Sequence, residues 1–206
     1  MSKNPYHHGD LPRALRMATA ELITERGPQG FSLREVARRA GVSHAAPGHH
    51  FGSALGLLSA VATEGFELFA AVLEEAAEAS TDPLERLRVI ARAYVGLALE
   101  HPGHYAVMFN AQAHSPDDEA LAVAGHRAHE HLVDALTSVR DELNPELDAE
   151  TAATATWSAM AGLVAIAPLL AELAADRGTE PRPLVELTDD ICDLLVFGLV
   201  GNQLRV

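Results

Sequence analysis

The apolar residues of this chain return at helical spacing in one run after another, and the gaps between runs are marked by Gly and Pro. Leu11, Leu15, Ala18 and Leu22 share one helix face, and Arg26-Gly27-Pro28 closes that run with a cation, a glycine and a proline. Ser32 and Glu35 form a capping-box pattern ahead of Leu33, Val36, Ala37 and Ala40. Gly41 then suits a sharp left-handed turn, and Ser43 is placed to cap a third helix over about residues 44–50. Longer helices follow over about 53–79, 82–101, 103–112, 116–143, 148–176 and 183–203, each bounded by a turn pair such as Asp82-Pro83 or Asn144-Pro145. The apolar content, 48% of the chain with only 5% aromatic, suits helix-on-helix packing. The expectation is an all-α fold of about nine helices, with a three-helix head and a helical-bundle body.

At 206 residues the chain accommodates a small head and one larger body, divided at 1–52 and 53–206. No uninterrupted apolar stretch approaches the ~20 residues of a bilayer span, and the first residues lack a charged segment leading into an apolar core. A soluble cytoplasmic protein without a membrane partner is expected. Cys192 is the lone cysteine, between Ile191 and Leu194, and reads as a buried small apolar residue. The net charge of −14 hides an asymmetry: residues 1–60 hold seven cations against four acids, +3, which leaves −17 on the remainder. A basic head on an acidic body attracts phosphates locally while the body is repelled.

A short helix, a Gly-containing turn and a second short helix is the arrangement that places its second helix in a DNA major groove. The run Phe31-Ser32-Leu33-Arg34-Glu35-Val36-Ala37-Arg38-Arg39-Ala40-Gly41-Val42-Ser43, followed by His50-Phe51, resembles the DNA-binding signature of the TetR (tetracycline-repressor) family. Tyr6-His7-His8-Gly9-Asp10-Leu11, His44-Ala45-Ala46-Pro47 and His101-Pro102-Gly103-His104-Tyr105-Ala106-Val107-Met108-Phe109 resemble a subgroup whose body is named for a Trp, His, Gly motif. Trp157 and Gly162 stand at that motif's tryptophan and glycine, and Ala161 stands where its histidine would be.

The resemblance implies a transcriptional regulator, a repressor of double-stranded operator DNA released by a small apolar or amphipathic effector. Ser43, His44, Ala45, His49 and His50 are the candidates for DNA contact, with Lys3, Arg13 and Arg34 for phosphates. Two positions depart from the family. Gly48 replaces an aromatic residue, often tyrosine, and Ala54 replaces a lysine, so a hydroxyl and an ammonium that often hold phosphates are missing. The alternative is therefore a TetR-like fold that binds a small molecule or metal and keeps a weakened or vestigial DNA-binding head.

In the body, Phe66, Phe69, Tyr105, Met108, Phe109, Trp157 and Met160 are the candidates for an effector cavity, set against ordinary core packing. His126, His129 and Glu130 share one helix at metal-ligand spacing, while His131 points elsewhere; a solvated polar stripe explains the same pattern, and no metal or other cofactor is expected. There is no glycine-rich phosphate loop and no nucleophile elbow, so an enzyme is not expected. The resemblance also implies a homodimer formed through the last two helices. Leu184, Leu187, Ile191, Leu194, Leu195 and Leu199 supply the apolar stripe for it.

Overall fold

The computed structural model describes residues 11–115, 117–143 and 145–200, without the side chains of 143 and 197–200. Among the described residues the regular structure is helical: α1 (Leu11–Arg26), α2 (Leu33–Arg39), α3 (Ala46–Phe51), α4 (Ala54–Ala77), α5 (Pro83–Glu100), α6 (Pro102–Met108), α7 (Glu119–Leu143), α8 (Ala149–Asp176) and α9 (Leu184–Val200), with a 3-10 turn at Ala111–Ala113. The chain divides into two compact units. One holds the described residues up to Glu67 together with His101–Gly125; the other holds Leu68–Glu100 and the described residues from His126 onward. Helices α4 and α7 contribute residues to both.

In the first unit, Leu15, Ala18 and Leu22 of α1 meet Val36 of α2, Ala40 at its C-terminal cap and Leu57 of α4, with Phe51 of α3 packed on the group. A second cluster joins Ala20 and Ile23 of α1, Leu58, Val61 and Ala62 of α4, Val107 of α6 and Leu121 of α7. These are the apolar positions at helical spacing, now on the inward faces. In the second unit α5 packs on both α8 and α9. Its core includes Phe69, Leu73, Ile90, Tyr94, Leu132, Leu136, Met160 and Cys192. Burial pushes the Cys192 thiol up to about 12, so it stays protonated and packs as an apolar group.

Several boundaries move from their expected places. Ser32 does accept from the Glu35 amide at 3.3 Å. The reciprocal half of the box is replaced, because the Glu35 carboxylate accepts from Arg26 at 2.8 Å instead. Ser43 does not cap α3: the cap is Ala45, and residues 43–46 close a turn through the Ala46 amide on the Ser43 carbonyl at 3.0 Å. Pro47 explains the delay, since a proline fits only the first turn of a helix. Helix α6 stops at Met108, where the chain turns into Ala111–Ala113, and α7 starts at Glu119.

Against the expectation that no apolar stretch approaches the length of a bilayer span, α4 and α8 are each long and apolar enough to cross one, by length and composition only. Pro168 lies within α8 without ending it. The qualifying stretch of α8 is only 11% buried within the chain, against 44% for that of α4.

Candidate functional site

Helix α2, the turn and α3 form the candidate DNA interface. Gly41 has φ of +69°, the left-handed conformation the turn demands, and the Val42 amide closes it by donating to the Ala37 carbonyl at 2.9 Å. Pro47 is buried and Phe51 packs on the head core. Being four residues apart they share the inward face of α3, which turns His49 to the opposite face and His50 to its flank. Ser43, His44, Ala45, His49 and His50 are all exposed. The His49 and His50 rings lie 5.4 Å apart, edge to face.

Most of the described arginines of the head are tied to carboxylates. Arg39 forms two hydrogen bonds to Glu25, each 2.8 Å, which hold the Glu25 carboxyl below its usual range. Arg26 reaches Glu35 at 2.8 Å, with Arg38 3.8 Å from the same oxygen. Arg16 reaches Glu64 of α4 at 2.9 Å. Arg34 is exposed and carries no ion pair among the described residues, and Arg13 is also exposed. Lys3 lies outside the described residues.

Sequence reasoning missed a second arrangement in the same unit. Nε2 of His104 on α6 lies 3.6 Å from Oε2 of Glu64. Together with Arg16 this joins α1, α4 and α6. His104 first, and then Arg16, hold the Glu64 carboxyl down to about 2. The Arg16 contact has hydrogen-bond length; that to His104 is longer. The three residues are far apart in sequence, and nothing in their spacing signals the grouping. Below α6, the His114 ring is 2.6 Å from the Val107 carbonyl, and the Ser115 amide donates to the buried Ser59 hydroxyl at 2.8 Å.

The candidate effector residues fall into two groups. Phe66, Tyr105, Met108 and Phe109 belong to the first unit. There Phe109 stands edge-on to Phe66 at 5.6 Å and to Tyr105 at 5.4 Å between ring centres. Met108 is buried against Gly65 of α4, where an added Cβ would sit 2.6 Å from its sulfur. Phe69, Trp157 and Met160 belong to the second unit. The buried Tyr94 joins them: it packs edge-on to Phe69 at 5.3 Å, and Trp157 Nε1 donates to its hydroxyl at 3.1 Å. Tyr94 is a member of this cluster that sequence reasoning missed, although α5 spacing put it on the core face.

His126, His129 and Glu130 are exposed on α7, and the His129 ring lies 6.3 Å from Trp157. Among the described residues no group of three or more His, Cys, Asp or Glu side chains is placed to hold a metal ion.

Comparison with known proteins agrees with this arrangement. Residues 15–61 match the bacterial regulatory proteins of the tetR family, and residues 87–168 match a tetracyclin repressor-like C-terminal domain. No curated protein matches the chain. A solved protein of unknown function from Rhodococcus sp. RHA1 is 32% identical, over 96% of this chain and 100% of that one, with a TM-score of 0.77. The TetR family transcriptional regulator PfmR from Thermus thermophilus is 27% identical over 91% of this chain and 98% of its own, with a TM-score of 0.70. FadR from Bacillus subtilis, solved with stearoyl-CoA, shares the fold at 18% identity and a TM-score of 0.67, covering 90% and 98% of the two chains. The head signature, the helical body and these relatives agree: the chain belongs to the TetR family of transcriptional regulators.

Proposed function

We infer that this regulator is a ligand-released repressor acting as a homodimer on operator DNA in the cytoplasm, without catalytic activity of its own. The observation that carries the reading is the exposed surface of α3 and the turn before it, with Ser43, His44 and Ala45 of the turn and His49 and His50 of the helix open to solvent while Pro47 and Phe51 anchor the opposite face of α3. Two such heads in a dimer read half-sites about 34–36 Å apart on a near-palindromic duplex. Residues 1–52 act as the DNA-binding domain and 53–206 as the ligand-binding and dimerisation domain.

The effector is assigned to small apolar or amphipathic molecules. Support comes from the two aromatic clusters, around Phe109 and around Tyr94, and from FadR of Bacillus subtilis, whose structure holds stearoyl-CoA. For the dimer, the support is the apolar face that α8 and α9 leave open: Ile166, Leu169, Leu173, Val185 and Leu194 are exposed. Leu184, Leu187, Ile191 and Leu195 of the expected stripe are half-buried beside them, and the Leu199 side chain lies outside the described residues. A second copy on this face covers the apolar length of α8 that a bilayer would otherwise suit.

A second reading, a ligand-binding TetR protein with a weakened head, is favoured by one observation: Arg16, Arg26, Arg38 and Arg39 are committed to carboxylates of the chain itself. Selection of duplexes from a randomised pool separates the two. Enrichment of a near-palindromic duplex, bound more tightly than random DNA and released by an amphipathic ligand, is expected of the repressor. Absence of any enriched duplex at low salt overturns it in favour of the weakened head.

A further inference from the structure

The recognition segment of this head offers DNA an unusual set of side chains. From Ala40 to Leu58 the only side chains that carry nitrogen are His44, His49 and His50. Arginine, lysine, asparagine and glutamine, the residues that most often read guanine and adenine in the major groove, are absent from the stretch. All three histidines are exposed, and the inward anchoring of Pro47 and Phe51 sets His49 on the outward face.

The charged groups around them are largely accounted for. Helix α2, packed on α3, brings Arg34, Glu35, Arg38 and Arg39. Helix α1, also packed on α3, brings Arg13, Arg16, Glu21, Glu25 and Arg26. The first charged residue of α4 is Glu64, bound by Arg16. Each carboxylate on α1 and α2 has an arginine within ion-pair distance: Glu21 and Glu25 have Arg39, and Glu35 has Arg26 and Arg38. No unmatched carboxylate on these helices competes with DNA for an imidazolium. The arginines, for their part, are mostly spent on those pairs.

We propose that the imidazoles of His44, His49 and His50 supply both the base-edge donors and the titratable positive charge of this DNA interface, so that operator binding strengthens as pH falls through the neutral range. A neutral imidazole offers one donor and one acceptor; an imidazolium offers two donors and a charge. The guanine edge, with its two acceptors in the major groove, is the base that gains most from the change. Each new imidazolium against a phosphate also releases a counterion, which steepens the salt dependence. The inference rests on the operator-binding reading above.

The test uses the full chain and a duplex enriched by it from a randomised pool at about pH 6. Affinity is measured at fixed ionic strength from about pH 8 to about pH 6, with a salt series at each end. The expected result is a gain of at least about tenfold toward acid, with a log–log salt slope steeper by about 0.9 for each imidazolium placed on a phosphate. The triple variant His44→Gln, His49→Gln, His50→Gln keeps hydrogen-bond donors but gains no charge. It loses the pH gain while its thermal melt, on these exposed positions, stays with the parent's. An affinity that is flat in pH for the parent protein overturns the inference and leaves the repressor reading intact. So does a pH gain that survives in the triple variant. A pool that yields no enriched duplex at all overturns both.

Discussion

Gly103 lies so close to Ala20 that a methyl group on its α-carbon would sit 2.1 Å from the Ala20 carbonyl oxygen. The first turn of α6 therefore rests directly on the backbone of α1, a helix of the DNA-binding head. Backbone cannot yield as the tip of a side chain can, so only glycine fits there. One turn away Gly65 of α4 makes the same allowance for Met108, and His104 faces Glu64. Helix α6 is held against α1 and α4 by fit at two glycines and by charge at one carboxylate.

The first prediction follows from that fit. Gly103→Ala forces α6 away from α1 and costs about 1–3 kcal/mol, the range for overpacking a filled interior. Gly162→Ala is the control: it lies inside α8 with nothing within 4 Å of an added Cβ. A helix interior gains about 0.5–1 kcal/mol from that exchange. Denaturant unfolding of both variants checks the opposite signs; equal effects would show that the contact with Ala20 is not what fixes Gly103.

How much of this was legible in the residues themselves varies by scale. Helix spacing, the Gly41 turn and the Ser32 cap are local properties, and each is visible in a short window. The start of α3 was misplaced because Ser43, a good capping residue, sits ahead of a turn that delays the helix until Pro47 can occupy its first turn. The Arg16, Glu64 and His104 grouping is set by how three helices pack, and no periodicity carries that information. Ser43, His44, Ala45, His49 and His50 were legible as one exposed group because they lie in one short segment. The effector candidates were legible only as residue types, and their division into two groups was not: Phe66, Tyr105, Met108 and Phe109 belong to one unit and Phe69, Trp157 and Met160 to the other.

The second prediction concerns acid stability. Glu64 has its carboxyl held at about 2, against 4.5 for the ordinary group, so the ionised form is favoured in the folded state. Its contribution is fully present above about pH 4.5 and is lost as pH falls toward about 2. The size at neutral pH is about 2–3 kcal/mol, with Glu64 only a quarter exposed. Glu64→Gln should therefore be less stable than the parent by about that amount at neutral pH, and the gap should close between about pH 4.5 and about pH 2. Urea unfolding across that range reads it; a gap that does not narrow with acid would place the loss in packing and not in charge.

The third prediction addresses assembly. Ile166, Leu169 and Leu173 fall on one face of α8 at helical spacing, and Leu194 of α9 is 71% exposed. Leu169→Glu with Leu194→Glu puts charges onto the face assigned to the second copy. Sedimentation at micromolar concentration should show the parent as a dimer and the variant as a monomer that keeps its helical content. A parent whose mass is monomeric at every concentration would remove this face as an interface.

The fourth prediction concerns the effector. A ligand shifts an operator-binding equilibrium only by its differential affinity for the two states, so its site must touch something that moves between them. Tyr105, Met108 and Phe109 follow the Pro102-Gly103 start of α6, and α6 rests on α1 through Gly103. Stearoyl-CoA, the ligand held by FadR of Bacillus subtilis, is a concrete probe of the amphipathic class. At a free concentration about a hundred times its dissociation constant, such a ligand adds about 2.7 kcal/mol of stability. For a chain of this size that is a rise of roughly 5–11 °C in Tm. The same probe should weaken binding to the enriched duplex. Met108→Trp, which crowds Gly65, should diminish both effects, and Phe109→Ala, at a more exposed ring, should diminish them without the overpacking. Thermal shift followed by duplex competition measures the pair. Stabilisation with unchanged DNA affinity would leave a binding module without allostery.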